Sequence, residues 1–103
     1  DSPYTFFKTS YRPHLSIELH EQIYYNHEGQ LLETSIGNIV LKIEDQLYTP
    51  PVHLGLLNGI YRQSLIAENK LKEKVLTVKD LKQAQAIYGC NAVRGLYELK
   101  VEG

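Results

Sequence analysis

The stretch "LLETSIGNIVLKIEDQLYTPP", residues 31–51, decides how this chain is read. An apolar pair runs into a carboxylate, Glu33, and a small polar-and-glycine step follows. A second apolar run, "NIVLKI", then passes through "EDQ" to "LYTP" and stops at Pro50-Pro51. Apolar runs rich in β-formers around short polar steps predict strands, and a proline pair ends the second hairpin. Glu33 stands where a buried strand would end, and a charge in that place needs a partner.

Upstream, "IYYN", "HEGQ" and "LLE" predict a hairpin over 23–33. "FFKTSYRP" reads as a strand end entering a turn, and "HLSIELHEQ" as a short helical stretch. Downstream, "LGLLNGIYRQSLIAENK" predicts a glycine-spaced turn and a helix from about Ile60 to Asn69, with Ile60, Ser64 and Ala67 on one side and Leu65 and Ile66 alongside. "KEKVL" predicts a strand. Thr77 and Asp80 stand at capping-box spacing and open a short helix. "AIYGCNAV" and "LYELKV" predict two closing strands. The fold class is α+β and sheet-rich, one domain over 1–103 without internal repeat or linker.

Composition narrows the function classes. With 103 residues, 43% of them apolar, the chain can bury a small core. A net charge of −1 gives no basic field for nucleic acid or an anionic membrane. The single cysteine, Cys90, excludes a disulfide framework, and the four histidines show no ligand-like pair, so no metal site is expected. No apolar run is long enough to span a bilayer as a helix, and nothing reads as a signal peptide. A reducing compartment, the cytoplasm, is the expectation. The opening "DSPYTFF" and the lack of any Met suggest an excised domain or a processed piece.

Four pieces can carry chemistry: Lys8 in "FFKTSYRP", Glu33 in "ETSIGN", "LNGIYR" at 57–62 and "CNAVRG" at 90–95. Each alone is ordinary: a strand-end lysine, a solvated glutamate, two turns. In this order they share a reading. A chain that turns at Asn58-Gly59 and enters a helix at Ile60 presents free N–H groups and the positive end of the helix dipole, which suits a phosphate. The "CNAV" corner can add N–H groups or the Asn91 amide. A lysine among aromatics is a better nucleophile when desolvation disfavours its ammonium form. A buried carboxylate needs a cation, and a protonated pyridine nitrogen would serve. Amine, phosphate cradle and pyridinium partner are the three grips on pyridoxal 5′-phosphate.

On these residues the sequence resembles the class IV (fold-type IV) pyridoxal-phosphate enzymes, which include branched-chain and D-amino-acid aminotransferases and 4-amino-4-deoxychorismate lyase. The run "ETSIGNIV…LYTPPVHLGLLNGIYRQSLI…LTVKDLKQAQAIYGCNAVRG" is similar to that family's larger C-terminal domain. "KTSYRPH", "TPPVHLGLLNGIYR" and "CNAVRG" resemble the lyase branch, in particular the module fused behind aminodeoxychorismate synthase component I. The resemblance implies that Lys8 is the covalent attachment point and later moves a proton, and that Glu33 meets the pyridine nitrogen. It implies that Ile60 and Tyr61 give backbone N–H groups to the phosphate, where the family often has a threonine at the second position. Asn91 and Ala92 complete the corner, where aminotransferases often carry hydroxyl residues. Asn38 matches a position near the active site and reads as architectural.

The implied substrate is 4-amino-4-deoxychorismate, the implied products pyruvate and 4-aminobenzoate, and the implied partners a synthase component and further copies of the chain. Only seven residues precede Lys8, so the family's smaller N-terminal domain, which supplies a phosphate-binding arginine and part of the pocket, is expected either to be missing from this piece or to come from another chain or an upstream module. Two alternatives stand beside the lyase: a class IV amino-acid aminotransferase, and an inactive docking partner of the synthase.

Overall fold

The computed structural model describes residues 4–11, 19–35 and 37–101, with side chains over 22–35 and 37–99. The strands are β1 (Tyr4–Tyr11), β2 (Leu19–Asn26), β3 (Leu31–Thr34), β4 (Asn38–Ile43), β5 (Gln46–Thr49), β6 (Leu71–Glu73), β7 (Ala86–Asn91) and β8 (Gly95–Val101). Two helices join them, α1 (Ile60–Ala67) and α2 (Val78–Gln83), after a single 3-10 turn at Val52–Leu54. The strands form one sheet in the order β3-β2-β1-β8-β7-β4-β5-β6. All neighbours are antiparallel except β5 and β6, whose parallel pairing is made possible by the crossover through α1.

β4 explains the apolar run in the opening stretch. Ile39 and Leu41 enter one cluster, with Ile23, Leu31, Leu76 and Leu81. Val40 lies between them in sequence and enters another, with Leu65, Leu71 and Cys90. Alternate residues of a strand face opposite sides, so β4 is buried on both: α2 covers one face through Leu81, α1 the other through Leu65. A strand buried on both faces reads as a continuous apolar run. Each fully buried aliphatic side chain contributes roughly 1.5–3 kcal/mol, which makes β4 the anchor of the fold.

Both expected hairpins form. The β2–β3 turn is built on Asn26, whose Oδ1 accepts from Glu28 N and Gln30 N, each at 3.0 Å. The β4–β5 turn has two central residues, Glu44 and Asp45, with φ of 52° and 65°. That is the primed geometry matched to strand twist. Thr77 and Asp80 form the reciprocal capping box that starts α2.

Three expectations change. Residues 19–22, read within a short helical stretch, belong to β2, because its eight residues pair with β1 from Tyr11↔Leu19 to Tyr4↔Asn26. Long-range pairing outweighs a weak local preference; the rest of that stretch lies outside the described residues. α1 stops at Ala67 rather than Asn69. Asn69 takes φ 60°, and Asn69 N and Lys70 N donate to Ile66 O and Leu65 O, a Schellman ending. Its buried side is Arg62 and Leu65, while Ile60, Ser64 and Ala67 are exposed. The strand predicted over "KEKVL" is Leu71–Glu73 alone; the chain then leaves β5, and Leu76 O accepts from Leu31 N at 2.7 Å. Among the described residues no helix is long and apolar enough to cross a membrane.

Candidate cofactor site

The ends of β3, β4 and β7 and the approach to α1 enclose a cavity of about 550 Å³. Glu33 comes from β3 and Asn38 from β4. Asn58, Gly59 and Ile60 come from the start of α1, and Asn91 and Ala92 from the end of β7. The two corners singled out in the sequence therefore face one space, although some thirty residues separate them. α1 begins at Gly59 with no side-chain cap, so its first N–H groups are not satisfied by a capping side chain. An anion at that end would also gain from the helix dipole.

Glu33 is half-buried, and its Oε1 accepts from Leu57 N at 2.9 Å. Its partner within the chain is thus the loop before α1. Oε2 has no protein partner among the described residues and is left for a second donor. Asn38 is 4% exposed and its Nδ2 donates to Leu57 O at 2.7 Å. The architectural reading of Asn38 is matched by this bond, since the residue holds a loop.

At the other corner Asn91 closes its own turn. Its Oδ1 accepts from Val93 N at 3.0 Å and from Arg94 N at 2.8 Å. Val93 N and Arg94 N are thereby committed to the turn, and the side-chain oxygen, an acceptor, is not a group that binds an anion. Tyr61 does not line the cavity with its ring. The ring packs into the cluster of Val40, Leu65, Leu71 and Cys90 and against Gly95, where a Cβ would lie 3.4 Å from its Oη. Gly95 takes φ 71°, so glycine serves both the turn and the contact. Tyr61 is thus not part of the cavity lining, and what it could offer a ligand there is its backbone N–H, at the second position of α1.

The side chain of Lys8 lies outside the described residues. Its backbone is placed: Lys8 pairs with Gln22, and Tyr24, two residues along β2, pairs with Glu33. Directly opposed residues share a sheet face, so positions 8 and 33 belong to the same alternating set, one strand apart across β2. Phe6 and Phe7 lie outside the described side chains, and none of the described tyrosines is exposed. Apolar exposure near the cavity falls instead on Leu57 and Ile60, 73% and 77% exposed.

Sequence reasoning missed Arg62. It is 2% exposed, donates from Nη1 to Asn58 Oδ1 at 2.7 Å and from Nη2 to Pro50 O at 2.9 Å, and pairs with Glu73. One guanidinium thus ties the loop before α1 to the ends of β5 and β6. The only signal for this in the sequence was an arginine three residues before Leu65, on the helix side that packs inward. Cys90, on the cavity wall, is fully buried, and burial pushes its thiol up to about 11, with the Arg62 charge acting the other way.

The residues present fit pyridoxal phosphate at two of its three grips. An uncapped helix start opposite a second turn suits the phosphate, and a half-buried carboxylate with one oxygen to spare suits the ring nitrogen.

Comparison with known proteins agrees with this architecture. A model of the class IV amino-transferase family matches residues 16–100. An uncharacterized protein of Haemophilus influenzae is 32% identical over 68 residues, 66% of this chain and 35% of its own length. A Legionella pneumophila protein provisionally named 4-amino-4-deoxychorismate lyase is 32% identical with a TM-score of 0.69, over 74% of this chain and 30% of that one. The branched-chain aminotransferase of Thermoproteus uzoniensis is 30% identical with a TM-score of 0.67, over 74% and 27%. The chain thus spans about a third of the length of these relatives, and over that span it belongs to the class IV aminotransferase family.

Proposed function

We propose that this chain forms the cofactor-binding part of a lyase that releases pyruvate from 4-amino-4-deoxychorismate and leaves 4-aminobenzoate, a folate precursor. The class IV aminotransferase family is pyridoxal-phosphate-dependent. The observation that carries the reading is the meeting of Glu33, the start of α1 and the Asn91–Ala92 turn around one cavity.

Each residue has a distinct task in this reading. The backbone N–H groups of Ile60 and Tyr61 bind the phosphate from one side, and Asn91 and Ala92 bind it from the other. The Glu33 carboxylate holds a proton on the pyridine nitrogen. Bound pyridoxal phosphate supplies an electron sink at the amine-bearing carbon of the substrate. Lys8 Nζ first anchors the cofactor and then takes the proton from that carbon as general base. Loss of pyruvate from the adjacent position is driven by aromatisation of the ring.

A class IV amino-acid aminotransferase is the second reading. It is favoured by likeness to the Thermoproteus enzyme nearly as close as that to the Legionella protein. Product analysis separates the two: 4-aminobenzoate and pyruvate together mark the lyase, while a keto acid formed from an amino-acid donor marks the aminotransferase. Borohydride reduction of the cofactor-loaded protein, followed by peptide mapping, tests Lys8. Label on a peptide without Lys8 overturns that assignment. A protein that binds no cofactor favours the docking-partner reading, with a synthase or a further copy of the chain as its partner.

A further inference from the structure

We propose that Asn38 is a positioning residue for the anion turn, acting together with Glu33 on the backbone of a single residue, Leu57. The inference rests on reading the cavity as a pyridoxal-phosphate site. Leu57 N donates to Glu33 Oε1 at 2.9 Å, and Leu57 O accepts from Asn38 Nδ2 at 2.7 Å. The Leu57 residue is itself 73% exposed. A loop residue open to solvent ordinarily leaves its peptide to water. This one is held at its N–H and at its carbonyl by two side chains on different strands.

The clamp reaches the turn directly. A Cβ on Gly59 would lie 2.6 Å from Asn38 Oδ1, so the amide of Asn38 is pressed against the residue that opens α1. Asn38 is buried, at the cavity wall beside this turn. Fixing the Leu57 carbonyl and the Gly59 backbone fixes where the N–H groups of Ile60 and Tyr61 point. Glu33 is shared between the two jobs: one oxygen holds the loop, and the other is left for the ring nitrogen. The ring and the phosphate of one ligand are thereby recognised by neighbouring parts of the protein, and breaking the Asn38 side of the clamp should weaken the phosphate grip more than the ring contact.

The test compares two ligands that differ only in the phosphate. Dissociation constants for pyridoxal phosphate and for pyridoxal are measured by calorimetry on the intact protein, as wild type, Asn38→Ser, Gly59→Ala and the double variant. The serine hydroxyl is too short to reach Leu57 O. Losing this bond should weaken pyridoxal phosphate about tenfold, the scale of one buried hydrogen bond. Pyridoxal should change by less than about threefold, near the lower limit for one hydrogen bond. The affinity advantage conferred by the phosphate therefore shrinks.

Gly59→Ala should do the same, because its methyl displaces the Asn38 amide. The extended backbone of Gly59, φ −63°, accepts alanine, so this variant carries the test if Asn38→Ser does not fold. In the double variant the shorter serine leaves room for the methyl, and the losses should sum to less than additive. Equal weakening of both ligands, or no weakening of pyridoxal phosphate, overturns the positioning role and leaves the cavity reading standing. A wild-type protein that binds neither ligand overturns both.

Discussion

The turn at Asn91–Arg94 holds itself, whereas the turn at Leu57–Ile60 is held from elsewhere. In the first, one side-chain oxygen accepts from the N–H groups two and three residues on, and Gly95 supplies the left-handed backbone that returns the chain into β8. In the second, the local bonds come from the helix it enters, Arg62 Nη1 to Asn58 Oδ1 and Gln63 Nε2 to Asn58 O. The loop is fastened by Glu33, Asn38 and Arg62, and Arg62 in turn is fastened to Pro50 and Glu73. Two walls of one cavity thus differ in what fixes them. A local turn keeps its shape when distant residues change, and a turn built from long-range contacts does not.

That contrast can be broken at its strongest point first. Arg62→Met removes a buried cation with three partners and should lower stability by about 3 kcal/mol, because Glu73 is partly solvated and loses less than a fully buried partner would. A denaturant midpoint measures this, and cofactor affinity should fall with it. Stability as a function of pH comes next. Burial pushes the Cys90 thiol up to about 11, from an ordinary value of 9.0. A raised pKa means that its contribution is complete below pH 9 and is lost as pH rises through 11, by about 3 kcal/mol. Cys90→Ala should flatten the denaturation midpoint across that window. A wild-type curve equally flat there would show that the wall between the two corners is open to water.

Asn91→Ala should cost about 1 kcal/mol, since two N–H groups lose their acceptor at a partly exposed site. Its effect should stay local, with amide shifts confined to 89–97 and none at Leu57. Thr77→Ala, which breaks the α2 capping box on the opposite face of β4, should also cost about 1 kcal/mol or less and leave cofactor affinity unchanged. If it weakened the cofactor, the independence of the two faces would be lost.

The same contrast governs what could be read from the sequence. The hairpins at 27–29 and 44–45, the capping box at Thr77 and the turn at Asn91 use bonds between residues a few positions apart, and they were legible. So was β4, because burial on both faces leaves an unbroken apolar run. The bonds from Glu33 and Asn38 to Leu57 span 24 and 19 residues. No local pattern encodes them, and the sequence showed only that a carboxylate at Glu33 needed a partner. Arg62 was hidden for a different reason: a cation inside an amphipathic helix reads as a solvated residue until its acceptors are known. β2 was misread over 19–22 because the helical reading weighed local preference alone, which pairing with β1 outweighs.

The central claim is that both corners grip one phosphate while Glu33 meets the ring. Amide chemical shifts of the isotope-labelled protein, followed through a titration with pyridoxal phosphate, test it most directly. The account expects the largest changes at Ile60, Tyr61, Asn91 and Ala92 together, all with one dissociation constant. A smaller change at Leu57 should report the Glu33 clamp. Saturable binding that moves only one corner, or neither, would contradict it.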